Sequence, residues 1–282
     1  MTHDLGDIQK ITSLTNVQVK TMRGLSQRKN RRVSNSFLAE GLKLVIDGLD
    51  AGWEIETFAY SNSVHDGDGD QDAARRRDVV LETALAARLA GANILEVTDP
   101  IMEKIVRRDN PQMVVGVFKQ RLHELDALLS QENGLWVCLE GIKDPGNLGT
   151  ILRTAECAGA DGVILLGETT DPFGLEAVRA SMGSLFHTRL AKITREEFTK
   201  ARANWPGRIV GTHLSGTSDF RTVSKKRPLT IMMGNEQSGL PDDIADMCDE
   251  LAIIPMRGKA DSLNLAIATG IILFDAALAE TP

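Results

Sequence analysis

Residues 254–270 read IPMRGKADSLNLAIATG: an apolar run stops at Pro255, crosses a polar loop containing Gly258, and re-emerges in a helical pattern rich in small residues. One reading is local. Asp261 or Ser262 caps a helix from Leu263 to Leu278, and Gly258 turns the chain. The other is functional: the loop presents backbone N–H and C=O groups to a ligand, with Ser262 and Asn264 pointing into a site. Taken alone the stretch favours the local reading, because a capped turn between strand and helix is ordinary. What precedes it has to decide.

From Leu135 onward, strand-like runs alternate with helical ones: LWVCLEG, a helix from about Leu148 to Ala160, GVILLG, a helix from about Leu175 to Ser184, HTRLAKI, a helix near 195–203, RIVGTHL, LTIMMG, a short helix near 241–248, LAIIPM, and the last helix. Such alternation predicts a mostly parallel sheet with helices on both faces. Ligands of these sheets bind at the carboxyl ends of strands. Three strand ends here carry unusual loops. The first, EGIKDPGNLGTILRTAECAGADGV (140–163), sets Asn147, Gly149 and Arg153 in an N-x-G-x-x-x-R arrangement, with Asn147 placed as a helix N-cap and Arg153 either a surface ion-pair former or a functional group. The second, MGNEQSGLP (233–241), brings Gly234, Glu236 and Gly239 after a fully apolar strand, where glycines allow close approach of a ligand to backbone. The third is the opening stretch. No G-x-G-x-x-G follows a strand and no G-x-x-x-x-G-K-[ST] occurs, so neither the dinucleotide fingerprint nor a P-loop is present.

The first 120 residues form a smaller alternating unit. FLAEGLKLVIDGLDAG (37–52) has helical spacing, IETFAYS reads as a strand, residues 78–90 as a helix, NILEVTD as a strand, PIMEKIVRR as a helix and QMVVGVF as a strand; residues 121–134 then serve as a linker. Between Lys20 and Leu38 stand six basic residues, among them Arg28, Lys29, Arg31 and Arg32, and no acidic one. That run is either a solvated surface or a nucleic-acid contact. VHDGDGDQDAARRR (64–77) superficially resembles a calcium loop. It fails at position 6, Gln71 instead of glycine, and at position 12, Arg77 instead of glutamate, and reads as a mobile surface loop.

The 282 residues allow two domains, and 42% hydrophobic content supplies their cores. A net charge of −7 argues against general adhesion to nucleic acid but not against a local basic surface. MTHDLGDIQK lacks a signal-peptide core, no apolar run is long enough for a membrane, and a cytoplasmic location is expected. Three cysteines without C-x-x-C spacing read as buried thiols, and five histidines without H-E-x-x-H suggest no metal.

In their order and spacing, the three loops resemble the motifs of the SpoU (TrmH-like) family of RNA ribose 2′-O-methyltransferases, of the knotted SPOUT class. Asn147-x-Gly149-x-x-x-Arg153 is similar to the first motif, Gly234-x-Glu236-x-x-Gly239 to the second, and Ile254-Pro255-Met256-x-Gly258 with Ser262-Leu263-Asn264 to the third. The resemblance covers residues 135–282; residues 1–120 more weakly resemble the family's ribosomal-protein-like substrate-binding domain. It implies an α/β fold whose C-terminal sheet contains a deep trefoil knot, S-adenosylmethionine as cofactor, RNA as substrate, rRNA ahead of tRNA, and a homodimer. It also implies that Gly234, Ile254 and Leu263, with Met256, Gly258, Gly239 and Leu214, hold the cofactor. Arg153 becomes the central catalytic residue, gripping a phosphate and stabilising the developing alkoxide or, alternatively, deprotonating the hydroxyl. Asn147 then holds Arg153 or the ribose, Glu236 orients Arg153 or its loop, and Ser262 and Asn264 line the reaction centre. Arg28, Lys29, Arg31 and Arg32 would meet RNA. A tRNA methyltransferase and a silent RNA-binding protein of the same fold are the alternatives.

Overall fold

The computed structural model describes residues 8–66, 70–108, 112–213 and 216–279. The chain divides into two compact units, Met1–Gln120 with Phe173–Phe186, and Arg121–Pro172 with His187–Pro282.

The first unit contains β1 (Gln9–Ile11), α1 (Val17–Gly24), α2 (Arg28–Ser34), β2 (Ser36–Glu40), α3 (Leu42–Asp50), β3 (Ile55–Ser61), α4 (Gln71–Leu89), β4 (Asn93–Val97), α5 (Asp99–Val106) and β5 (Val114–Lys119). Its sheet runs β1-β4-β3-β5-β2, parallel among β1, β4 and β3 and antiparallel at β5. Residues 37–40, expected at helical spacing, are strand: all five residues of β2 are buried. A short, fully buried strand shows no period to separate it from a helix. Residues 67–69 of the Asp-rich segment lie outside the described residues, and from Asp70 the segment is helical: Asp70 accepts the amide of Asp72 (2.9 Å) and starts α4 at Gln71.

Phe173–Phe186 belongs to this unit, not to the C-terminal domain in which sequence order placed it. Phe173 and Phe186 stack on Phe37 at 5.1 and 6.0 Å between centroids. Within the segment, α8 (Leu175–Ser181) supplies Arg179, which pairs with the buried Glu40 and donates to the carbonyl of Val106 (2.8 Å). Burying a carboxylate requires such a partner. The expected linker 121–134 is likewise part of the second unit, where Leu128 is buried and its carbonyl accepts from the Trp136 indole (3.1 Å).

The second unit adds α6 (Leu125–Leu128), β6 (Leu135–Glu140), α7 (Pro145–Cys157), β7 (Gly162–Leu166), β8 (Leu190–Ile193), α9 (Arg195–Ala201), β9 (Arg208–Thr212), β10 (Ser218–Asp219), β11 (Leu229–Met233), α10 (Asp242–Ala245), β12 (Glu250–Ile253) and α11 (Leu265–Leu278). All its strand pairs are parallel, in the order β10-β12-β9-β11-β6-β7-β8. Trp136, Cys138, Ile164 and Met232 face one core with Phe198, Trp205 and Ile244, while the intervening Val137, Leu139 and Ile231 are buried as well. Both faces are thus covered, which is why these strands read as unbroken apolar runs. Of the cysteines expected to be buried, Cys138 is buried and Cys248 partly so, and burial pushes the Cys248 thiol up to about 12; Cys157 is exposed on α7.

Candidate active site

β6 runs on one side to β7 and β8, while β11, β9 and β12 lie on its other side. This reversal of strand order leaves a crevice at the carboxyl ends. The loops after β6, β11 and β12 are the three sequence motifs.

The loop after β6 enters α7 at Pro145, three residues before the expected start. Asp144 is the N-cap, its Oδ1 accepting the amide of Asn147 (2.6 Å), and Pro145 takes the first helical position, where its missing N–H costs nothing. Asn147 therefore does not cap, and its side chain is available. Its Nδ2 donates to Glu236 Oε1 (3.4 Å), and its Oδ1 accepts from Asn264 Nδ2 (2.9 Å). Glu236 also accepts the backbone amides of Lys143 (3.2 Å) and Asp144 (3.0 Å), tying the β11 loop to the β6 loop. Asn264 Oδ1 meanwhile accepts the amides of Ala266 (2.9 Å) and Ile267 (3.3 Å). The cap of the last helix is thus Asn264, in place of the expected Asp261 or Ser262. Its amide is free to face α7 because its oxygen alone does the capping. One side chain from each motif enters this chain of hydrogen bonds.

A cavity of about 310 Å³ adjoins it, lined by the ends of β9, β11 and β12, the loops after β11 and β12, and the first turns of α11. Gly234, Gly239, Ile254, Met256 and Leu263, which the resemblance assigns to the cofactor, line it together with Glu236 and Ser262, which it assigns to catalysis. The glycines act on the loop itself. A Cβ at Gly234 would lie 2.2 Å from the carbonyl carbon of Gly239, and Gly239 adopts φ +69°, closing a pair of Asn235–Gly239 backbone hydrogen bonds (2.9 and 3.0 Å). Thr212, His213, Asn235 and Asp261 also line the cavity and were not anticipated. Asn235 had a readable signal, an Asn opening a polar turn: its Oδ1 accepts the amides of Gln237 (2.9 Å) and Ser238 (3.1 Å), and its Nδ2 reaches the Gly141 carbonyl (2.8 Å). Thr212 ends β9 and His213 follows it, and neither carries a local signal.

Arg153 and Gly258 do not line the cavity, and Leu214 lies outside the described residues. Arg153 is exposed on α7, six residues and so ~9 Å along the axis from Asn147. Neither Asn147 nor Glu236 holds it; among the described residues its side chain has no hydrogen bond or ion pair. Beneath the site, Arg195 Nε donates to the buried Glu140 at the end of β6 (3.0 Å). In the first unit, Arg28, Lys29 and Arg32 are exposed on α2, but Arg31 is buried, its Nη1 bonded to the Leu25 carbonyl (2.7 Å). Arg31 is consumed by the α1–α2 turn and is not a surface contact. Among the described residues, no group of three or more His, Cys, Asp or Glu could hold a metal, and no helix is long and apolar enough to cross a membrane.

Residues 134–274 match the SpoU rRNA Methylase family, and residues 16–116 match the MRM3-like substrate binding domain. The chain belongs to the SpoU rRNA methylase family. It is 30% identical over 275 residues to a 23S rRNA (uridine(2479)-2′-O)-methyltransferase of Streptomyces viridochromogenes, covering 95% of this chain and 91% of the relative. With the 23S rRNA (guanosine(2553)-2′-O)-methyltransferase RlmP of Bacillus subtilis it shares 24% identity, over 95% and 98% of the two chains. The crystal structure of an AdoMet-bound rRNA methyltransferase from Sinorhizobium meliloti superposes with a TM-score of 0.88 at 47% identity, covering 98% of this chain and 100% of that one. As a SpoU methylase, the protein is an S-adenosylmethionine-dependent RNA 2′-O-methyltransferase. The cavity suits that cofactor: its size lies within the range of small-molecule sites, Ile254, Leu265 and Ile272 give it an apolar wall, and Asp261 offers a carboxylate to a cation.

Proposed function

We propose that the protein methylates the 2′-OH of one rRNA nucleotide, working in the cytoplasm as a homodimer. The observation that carries this reading is the pairing of a cavity tied to Asn147 and Asn264 with Arg153, which is exposed farther along the same helix as Asn147 and whose side chain has no partner among the described residues. The cofactor, bound against Gly234, Ile254 and Leu263, supplies an activated methyl group. The chain's own task is to align the hydroxyl and exclude water. Arg153, with five donors and no acceptor, is unsuited to take a proton. It instead grips the phosphate next to the target ribose and stabilises negative charge developing on the 2′ oxygen. Glu236, Asn147 and Asn264 hold the first turns of α7 and α11 in register, and Ser262 lines the reacting end of the cavity.

The dimer reading rests on α11. In the sequence, Leu265, Ala268, Ile272 and Ala276 fit either a partner-facing stripe or the chain's own core, and Leu265, Ile272 and Ala276 are buried within the unit. Ile267, Ile271, Phe274 and Leu278 are exposed instead, spaced i, i+4, i+7 and i+11, and give α11 an uncovered apolar stripe. The return of β9 and β11 to the far side of β6 is compatible with the trefoil knot that the family resemblance implies.

The test is to incubate the protein and S-adenosylmethionine with rRNA and tRNA from cells lacking it, then map 2′-O-methyls. One new methyl in rRNA is expected. Methylation of tRNA alone overturns the substrate class, and none in either RNA overturns the activity.

A further inference from the structure

A groove of about 490 Å³ in the first unit lies between α1 and α5, far in sequence from the three motifs. Val19 and Met22 of α1 pack in one core with Ile101, Met102 and Ile105 of α5, so the two helices are fixed against each other. The outward faces of the two helices, with the two residues that follow α5, bring Lys20, Arg23, Lys104, Arg107 and Arg108 around the groove, and among the described residues that line it Glu103 is the one carboxylate. In a chain of net charge −7, this is strong segregation of positive charge.

Basic residues near helix C-termini are often explained by the helix dipole and by orphan carbonyls. Here several of those carbonyls have other donors. Gly24 O accepts from Asn30 Nδ2 (2.9 Å) and the Gln27 amide (3.0 Å), Arg23 O from Ser26 Oγ (2.8 Å), and Val106 O from Arg179 (2.8 Å). All five cationic side chains belong to exposed residues, and among the described residues none has a hydrogen bond or ion pair. Like charges gathered without partners favour a polyanion. A lone phosphate needs two or three donors; five cations along both walls of an open groove match successive phosphates of one strand. Among the described residues, no aromatic side chain lines the groove for base stacking.

We infer that the α1–α5 groove is a phosphate-backbone clamp that docks structured RNA without reading its sequence, taking the role that the sequence assigned to α2. This rests on the reading of the protein as an RNA methyltransferase. The groove contributes affinity and salt dependence, while nucleotide choice lies elsewhere.

The experiment uses the full chain and a fluorescein-labelled 30-nucleotide RNA hairpin, with anisotropy titrations between 50 and 250 mM KCl. The Lys20→Gln/Arg23→Gln/Lys104→Gln variant is expected to bind at least tenfold more weakly at 100 mM salt, with the slope of log K against log salt reduced by about two to three. The charge-preserving Lys20→Arg/Arg23→Lys/Lys104→Arg variant should bind like wild type, and Arg28→Gln/Lys29→Gln/Arg32→Gln within threefold of it. S-adenosylmethionine affinity and melting temperature should not change, and Lys104→Glu alone should weaken binding severalfold. Wild-type affinity and slope in the neutralised variant would overturn the clamp, as would a larger loss from the α2 variant; a groove built for an acidic protein partner gives the first of these results. The hairpin titration reads the groove and methyl mapping reads the activity, so either can fail alone.

Discussion

Replacing Glu236 by Gln changes a few atoms at the point where two of the three motif loops are joined. Its carboxylate faces donors only: Oε1 receives the Asp144 amide and Asn147 Nδ2, and Oε2 the Lys143 amide and Asn235 Nδ2. An amide side chain must turn its own NH2 toward one of these pairs, losing two hydrogen bonds and setting donor against donor. Hydrogen bonds to a charged group are worth about 1.5–3 kcal/mol each, and the half-exposed position lowers that, so a loss of about 2–4 kcal/mol is expected. In a domain of this size that is a fall of roughly 5–10 °C in melting temperature. Released from Glu236, Asn147 no longer fixes Asn264, and misplacement of the α7 and α11 starts should cost roughly 100-fold in kcat/KM. Differential scanning calorimetry and a methyl-transfer assay on rRNA read both effects. A variant melting within 1 °C of wild type and active within twofold would refute the view that this carboxylate organises the site.

Four further outcomes are expected. Arg153→Ala should abolish methyl transfer and leave S-adenosylmethionine affinity within about twofold; retention of more than a tenth of activity, a barrier change of about 1.4 kcal/mol, would remove Arg153 from the central role. Deleting residues 1–120 strips Phe173, Val178 and Phe186 of their buried surroundings, so the remainder should aggregate and bind a hydrophobic dye, and a soluble, cooperatively melting fragment would contradict the assignment of Phe173–Phe186 to the first unit. Ile271→Glu/Phe274→Glu should give a monomer by light scattering with little activity; an unchanged dimer would place the interface elsewhere. Because burial raises the Cys248 thiol from 9.0 to about 12, the protonated form is favoured on folding, and the resulting stability is present below pH 9 and lost as pH rises from 9 towards 12. The stability difference between pH 8 and pH 10.5 in urea titrations should therefore shrink in Cys248→Ala, and an undiminished difference would refute this.

The alternation of apolar runs from Leu135 onward was enough to establish a parallel sheet with helices on both faces. The order and spacing of Asn147, Arg153, Glu236 and Asn264 marked the loops of the site. These features are local: strand burial shows as a run of apolar residues, and strand-end loops show as glycine, proline and polar breaks. Only tertiary structure showed that Asn147 joins Glu236 to Asn264, partners 89 and 117 residues distant, instead of capping α7 or holding Arg153. It also removed Arg31 from the surface, made strand of residues 37–40, uncovered Ile267 and Phe274 where Ile272 and Ala276 fitted equally well, and placed Phe173–Phe186 with the first unit. Each of these depends on which distant group supplies a carbonyl, an aromatic face or a countercharge. Periodicity says that a face is buried or exposed, but its partner is chosen by the three-dimensional packing of the whole chain.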